Sequence, residues 1–204
     1  LAESTGVDLL FAPTVDEMYP EGFETHVEVG GIAGVMCGRS RPGHFRGVAT
    51  VVTKLLNIVQ PDLAYFGEKD YQQVAVVKRM VRDLNIPTTI VPVATVREAD
   101  GLAMSSRTVY LSPEERRAAL VLSRSLRRAL DMARSGERDV RRLRDMVAES
   151  ISCEPLARID YVDIRHPDTL AEIDDLREGA VLAVAVYFGR ARLIDNVVIP
   201  PVKG

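Results

Sequence analysis

The feature that most constrains this chain is an alternation of strand-like and helix-like patterns through its first half, with a glycine where one strand hands over to a helix. Residues 63–66 (LAYF) read as a buried strand ending at Gly67. A helix is expected from 70 to about 84, with Val74, Val77, Val81 and Leu84 inward, and residues 89–93 (TIVPV) give the next strand. Upstream, Val48, Val51, Val52, Leu55 and Val59 recur at helical spacing over 44–59 until Pro61 ends the pattern. Residues 8–12 form a short apolar run stopped by Pro13, as a strand would be. Residues 25–29 (THVEV) alternate like a half-exposed strand. Strands separated by helices argue for parallel βαβ units and an α/β fold.

The second half changes character. Ser112-Pro113-Glu114-Glu115 is a helix start, with a Ser cap, Pro at the first helical position and Glu three residues after the cap. Ala119, Leu122, Leu126, Ala129 and Ala133 then mark one buried face, and Gly136 stops the helix. A second helix is expected over about 140–151, followed by strand-like segments at 159–164, 180–187 and 191–199 with Gly189 in the last connection. Two helices and a small antiparallel sheet suggest an α+β unit of their own. The boundary falls near Val96, dividing the chain into residues 1–95 and 96–204.

Bulk properties narrow the partners. The chain has 204 residues and a formal net charge of −3, so a broad nucleic-acid surface is not expected. No apolar stretch reaches the length of a membrane span, and the first residues do not read as a signal peptide. Cys37 and Cys153 are far apart and the three histidines are scattered, which speaks against a disulfide framework and a metal site. Two reduced thiols in a cytoplasmic protein is the expectation.

Three segments could carry chemistry. Gly67-Glu68-Lys69-Asp70 sits where a strand ends and a helix begins, the place where open α/β sheets bind ligands. Gly67 would allow close backbone approach, Lys69 could offset phosphate charge, and Asp70 could accept bonds from ribose hydroxyls. The alternative is that Asp70 caps the helix and Gln73 completes a capping box, and local pattern alone favours that cap. Met104-Ser105-Ser106-Arg107 offers two hydroxyls beside a guanidinium, suited to a phosphate chain, although the pattern alone leans towards a polar connecting loop. Arg39-Ser40-Arg41-Pro42-Gly43-His44 is a basic turn that could attract an anion, with solvated charge the default. The many arginines between 116 and 144 read as solvated helix faces.

Taken together and in register, these segments resemble the pantothenate synthetase family. The resemblance runs through Phe11-Ala12-Pro13, Met18-Tyr19-Pro20, Ser40-Arg41-Pro42-Gly43-His44-Phe45-Arg46-Gly47-Val48 and residues 66–73. It continues through Ala99-Asp100-Gly101-Leu102-Ala103-Met104-Ser105-Ser106-Arg107 and Ala191-Arg192-Leu193-Ile194-Asp195-Asn196. It covers essentially the whole chain. It implies a Rossmann-like nucleotidyltransferase domain followed by a small α+β lid hinged near Val96. It also implies ATP-dependent condensation of pantoate with β-alanine through a pantoyl adenylate, releasing AMP and pyrophosphate.

By the same resemblance, Gly67, Glu68, Lys69 and Asp70 contact ATP, and Lys69 acts in catalysis by offsetting phosphate charge. Val96 touches the adenine through its backbone, and Met104, Ser105, Ser106 and Arg107 close on the nucleotide. Gln73 binds pantoate, with Phe66, Val51 and Val52 walling its methyl groups, while Arg41 and His44 stand at the rim. Mg2+ is held mainly by the nucleotide phosphates, with no protein metal site, and the enzyme is expected to be a cytoplasmic homodimer. Two departures stand out. Thr108 occupies a position where the family usually has Asn. The family's early Pro-Thr-Met-Gly and His-x-Gly-His segment has no counterpart, so the first domain is expected to be incomplete at its N-terminus and the 204-residue chain alone to be inactive. On that alternative the chain by itself is a non-catalytic nucleotide-binding or dimerisation fragment.

Overall fold

The computed structural model of the chain describes residues 2–201. Three helices come first: α1 (Val15–Met18), α2 (Met36–Ser40) and α3 (His44–Val59). Helix α3 has the bounds read from the sequence. It starts at Gly43, whose φ of 79° is cheap only for glycine, and ends at Gln60, beyond which Pro61 cannot continue it. Phe45, Ala49, Val52 and Leu56 form its buried face, with Val48, Val51 and Leu55 half-buried beside them. Val59, expected inward, is 52% exposed, because the true face is rotated towards Phe45 and Ala49.

Strand β1 (Leu63–Gly67), helix α4 (Tyr71–Asp83) and strand β2 (Thr89–Val93) form the expected parallel βαβ unit, with Leu63 opposite Thr89 and Gly67 opposite Val93. On α4, Val74, Val77 and Val81 are buried as expected, joined by Val76 and Met80. Leu84 lies just past the helix end and is half-exposed. β1 is a strand but not a buried one, since Leu63 and Tyr65 point to solvent. The segments 8–12 and 25–29 are not strands. The first is exposed throughout and pairs with no strand among the described residues. The second keeps its alternation, with Val27 and Val29 half-buried, but lies on the helices rather than in a sheet: the Val27 N–H donates to Thr50 Oγ1 on α3 at 3.0 Å.

In the second half, Ser112 and Glu115 form the reciprocal capping box that starts α5 (Pro113–Ala118). The chain then re-forms as α6 (Leu120–Arg134), so the single helix expected here is broken at Ala119, yet every residue assigned to its buried face is buried. Helix α7 (Val140–Ser152) leads into an antiparallel sheet ordered β3 (Ala157–Arg165), β4 (Ala180–Phe188), β5 (Ala191–Ile199).

The central strand explains how the halves are joined. Side chains alternate across a strand, and β4 is apolar on both faces. Leu182, Val184, Val186 and Phe188 enter a core built with α6 and α7. Val181, Ala183 and Ala185 enter another, shared with Met36 and Cys37 of α2, Phe45 of α3 and Val76 of α4. The sheet is therefore a middle layer, and the second core crosses the position near Val96 where the sequence changes character. A third cluster fills the space between α3 and α4 under the βαβ unit.

Candidate active site

A cleft of about 320 Å³ opens where the 3-10 turn after β1, the start of α3, the loop before α5 and strand β5 converge. Its first wall is the Glu68–Asp70 turn. The backbone here is held from across the molecule: Asn196 Nδ2 on β5 donates to the carbonyls of Glu68 and Lys69 at 2.9 and 3.0 Å. The Asp70 side chain makes no capping bond, so the capping-box reading of Asp70 and Gln73 is incorrect. The 3-10 turn already carries the chain into α4, and the carboxylate instead faces the cleft, 3.8 Å from Lys69 Nζ. Gly67 has an ordinary φ of −69°, and a Cβ placed on it would meet nothing within 4 Å. Neither backbone geometry nor protein packing demands glycine there, which leaves open space above the turn for a ligand.

The neighbouring glutamines divide their labour. Gln73 lines the cleft. Gln72 is buried and structural: its Nε2 donates to the Ile32 and Val35 carbonyls at 2.8 and 2.7 Å, and its Oε1 accepts from the Cys37 N–H at 2.9 Å. These bonds clamp the loop that enters α2. Met36, the first residue of α2, has a φ of 47°, a conformation uncommon for non-glycine residues.

The second wall comes from the start of α3. Arg41 Nη1 donates to His44 Nε2 at 3.1 Å, which makes Nε2 the acceptor and places the ring proton on Nδ1. Burial holds the His44 pKa below its usual value, with Arg41 adding to that effect, so the ring is neutral at pH 7. The third wall is the loop before α5. Arg97 bridges the 97–103 hairpin to buried Asp195 on β5 by a two-pronged contact at 2.8 and 2.9 Å. Ser105 Oγ accepts from the Arg107 N–H, starting the short 3-10 turn Ser106–Tyr110, and Arg107 Nη1 donates to the Arg192 carbonyl at 2.9 Å.

Lys69, Asp70, Gln73, Met104, Ser105, Ser106, Arg107, Arg41 and His44 thus all line one cleft. Gly67, Glu68 and Val96 do not line it. Val96 is exposed, and its carbonyl already accepts from the Met104 N–H at 2.9 Å. Val52 is buried in the cluster under the βαβ unit, with Val51 and Phe66 packed against it. Sequence reasoning assigned no role to the β5 residues Arg192, Asp195 and Asn196, although the motif containing them was visible, nor to Cys37, Asp160 and Tyr161. Their significance depends on contacts with residues far away in the chain.

The electrostatic character of the cleft is cationic. Arg41 and Arg107 form no ion pair among the described residues, and Lys69 pairs only with half-exposed Asp70 at 3.8 Å. Asp160 and Asp195 are already engaged by Arg192 and Arg97. Among the described residues no group of three or more acidic, histidine or cysteine side chains could hold a metal, and no helix is long and apolar enough to cross a membrane. A strand-to-helix turn aiming a lysine into such a cleft defines an α/β protein built to receive anionic small molecules.

Comparison with known proteins makes the class specific. Residues 1–198 match the family described as pantoate-beta-alanine ligase. A pantothenate synthetase from Heliobacterium modesticaldum is 59% identical over 199 residues, covering 98% of this chain and 71% of that protein. The corresponding protein of Acetivibrio thermocellus is 55% identical over 199 residues, with the same coverage of 98% and 71%. The crystal structure of pantothenate synthetase from Thermus thermophilus superposes with a TM-score of 0.93 at 53% identity, over 98% of this chain and 72% of the other. A Francisella tularensis pantoate-beta-alanine ligase, complexed with beta-gamma ATP and beta-alanine, gives 0.74 at 33% identity, over 97% and 67%. The chain belongs to the pantoate–β-alanine ligase family, and its activity is the ligation of pantoate to β-alanine.

Proposed function

We propose that this cleft binds ATP, pantoate and β-alanine and that the ligation proceeds through a pantoyl adenylate. The observation that carries the reading is the convergence of Lys69, Arg107 and Arg41 on one cleft that also presents the hydroxyls of Ser105 and Ser106, with only Lys69 ion-paired among the described residues, to half-exposed Asp70 at 3.8 Å. Such a site favours charge that develops on transferring phosphoryl oxygens, because its cations are positioned before the reaction begins. A pantoate carboxylate oxygen attacks the α-phosphorus, the bond to the bridging oxygen breaks, and pyrophosphate leaves with that electron pair. The neutral β-alanine amine then attacks the acyl carbon, AMP departs, and the nitrogen loses a proton to give the amide.

Within this scheme Gly67, Glu68, Lys69 and Asp70 supply the nucleotide turn. Lys69 stabilises the transferring phosphoryl group. Gln73, free of the structural bonds that occupy Gln72, orients pantoate; Val51, Val52 and Phe66 pack in the cluster under the βαβ unit and do not line the cleft. Val96 approaches the adenine, and Met104, Ser105, Ser106 and Arg107 close over the phosphates. That movement belongs to the 96–110 loop, because the core shared by β4 and α4 ties the remaining second half to the first. Mg2+, held mainly by the nucleotide phosphates, would supply charge neutralisation, and Asp70, the one cleft-lining carboxylate without an arginine partner, is the side chain available to it. The structure of the Francisella relative complexed with beta-gamma ATP and beta-alanine supports the substrate assignment. A homodimer and a cytoplasmic location complete the proposal.

The test is Lys69→Ala in the enzyme, read by pantoate-dependent pyrophosphate release alongside the melting temperature. The reading expects a loss of about two to three orders of magnitude in release with a nearly unchanged melting temperature. A folded variant with normal release would overturn the role of Lys69.

A further inference from the structure

Cys37, Tyr161 and Arg192 line the cleft as part of a polar cluster that the scheme above does not use. Arg192 on β5 is 7% exposed, and its guanidinium is gripped by Asp160 of β3, with Nε and Nη2 both donating to Oδ2 at 3.0 and 2.6 Å. Cys37 Sγ lies 3.5 Å from both terminal nitrogens and 3.3 Å from the Tyr161 hydroxyl, and the guanidinium stands over the Tyr161 ring at 5.8 Å. Burial lowers the Arg192 pKa, but its bonds to Asp160 and Cys37 outweigh that and hold it charged; burial pushes the Tyr161 hydroxyl up and keeps it neutral.

The ends of this cluster reach opposite walls of the cleft. Asp160 Oδ1 accepts from Ser40 Oγ at 3.0 Å, and Ser40 immediately precedes Arg41, whose guanidinium fixes His44. The Arg192 carbonyl accepts from Arg107 Nη1. We propose that the Asp160–Arg192 pair is a positioning device that sets the spacing between the Arg41–His44 wall and the Arg107 wall, and so presets the anion-binding geometry of the cleft. The proposal rests on the assignment of this cleft as the ligation site.

A partly buried pair with two outgoing hydrogen bonds suits this task better than apolar packing would. Each carboxylate oxygen has a separate partner, so Asp160 fixes α2 relative to β5 in direction as well as distance. Arg107 uses one nitrogen on the Arg192 carbonyl and keeps its remaining N–H groups for an anion, with its position set before binding. An error of about 1 Å in such an arrangement can cost roughly a hundredfold in rate.

The test uses Ser40→Ala and Asp160→Asn in the enzyme, with KM and kcat measured for each substrate and melting temperatures recorded. Ser40 is exposed, so its loss should leave the melting temperature unchanged while raising the KM of a substrate held by the Arg41–His44 wall severalfold and moving kcat little. Asp160→Asn frees the Arg192 guanidinium and should cut kcat/KM about tenfold to a hundredfold. Should that variant fold poorly, Ser40→Ala combined with Arg192→Lys supplies the measurement, and Arg192→Lys, which keeps the charge and loses the fork, should not restore the parent KM. Parent KM and kcat in folded Ser40→Ala and Asp160→Asn would overturn the proposal. Losses of activity that merely track the unfolded fraction would also overturn it. Failure of the ligase reading itself would appear separately, as absent turnover in a parent enzyme that carries the family's His-x-Gly-His segment.

Discussion

The two halves of the molecule solve the same problem with different completeness. In the second half, α6 and α7 cover one face of β3–β5, and the largest side chains there, Phe188, Leu143 and Leu126, are at most 2% exposed. In the first half, the two-stranded β1–β2 sheet leaves Leu63 and Tyr65 in solvent, and the segment before α1 presents Leu9 and Leu10 at 83% and 72% exposure. The chain spans 71% of the length of the Heliobacterium relative. Hydrophobic pattern specifies which residues could be buried; only the surrounding layers decide which ones are.

This contrast can be broken by truncation. Phe188→Ala removes a fully buried ring from the second-half core and should cost about 3–5 kcal/mol in denaturant unfolding. Leu9→Ala, in an equally apolar-looking stretch, should stay within about 0.5 kcal/mol. Comparable losses at the two sites would mean that the first segment is covered in solution.

A sharper version concerns the seam between the halves. Gln72→Leu keeps the volume of α4 but strands two carbonyls and one N–H of the loop entering α2, each worth about 1–3 kcal/mol when buried. A loss of about 3 kcal/mol is expected, with the positive-φ turn at Met36 relaxing. A stable variant would show that the loop holds itself.

Smaller still is the difference between the two helix starts. Ser112 caps α5 through Glu115, so Ser112→Ala should cost about 1 kcal/mol. Asp70 caps nothing, and Asp70→Ala should leave unfolding free energy within about 0.5 kcal/mol of the parent while weakening nucleotide binding. A loss at Asp70 matching that at Ser112 would restore the capping role that the geometry denies it.

These comparisons mark what was legible in the sequence. Helix α3, strand β2, the capping box at Ser112 and the inward face of α6 follow from local rules that tertiary context did not override. Residues 8–12 and 25–29 carry strand-like patterns without strand partners, and strand identity depends on a partner as helix identity does not. The break at Ala119 was invisible because it leaves the buried periodicity intact. In the site, local chemistry raised the strand-to-helix turn and the serine–arginine loop as candidates, but the local pattern alone favoured a helix cap and a polar loop, and the family resemblance assigned their roles. The clamp by Gln72, the anchor by Asn196 and the Asp160–Arg192 pair were not legible, since nothing local distinguishes them from surface polar residues.

The central claim is that Gly67-Glu68-Lys69-Asp70 from one half and Ser105-Ser106-Arg107 from the other form one nucleotide site. Hydrogen exchange of the backbone amides, with and without saturating ATP, addresses it directly. Protection should rise together at residues 67–70 and at 100–108, with the Phe188 strand unchanged. Equal exchange in the 100–108 loop with and without ATP would contradict the claim, leaving Ser105, Ser106 and Arg107 as a connection between the halves.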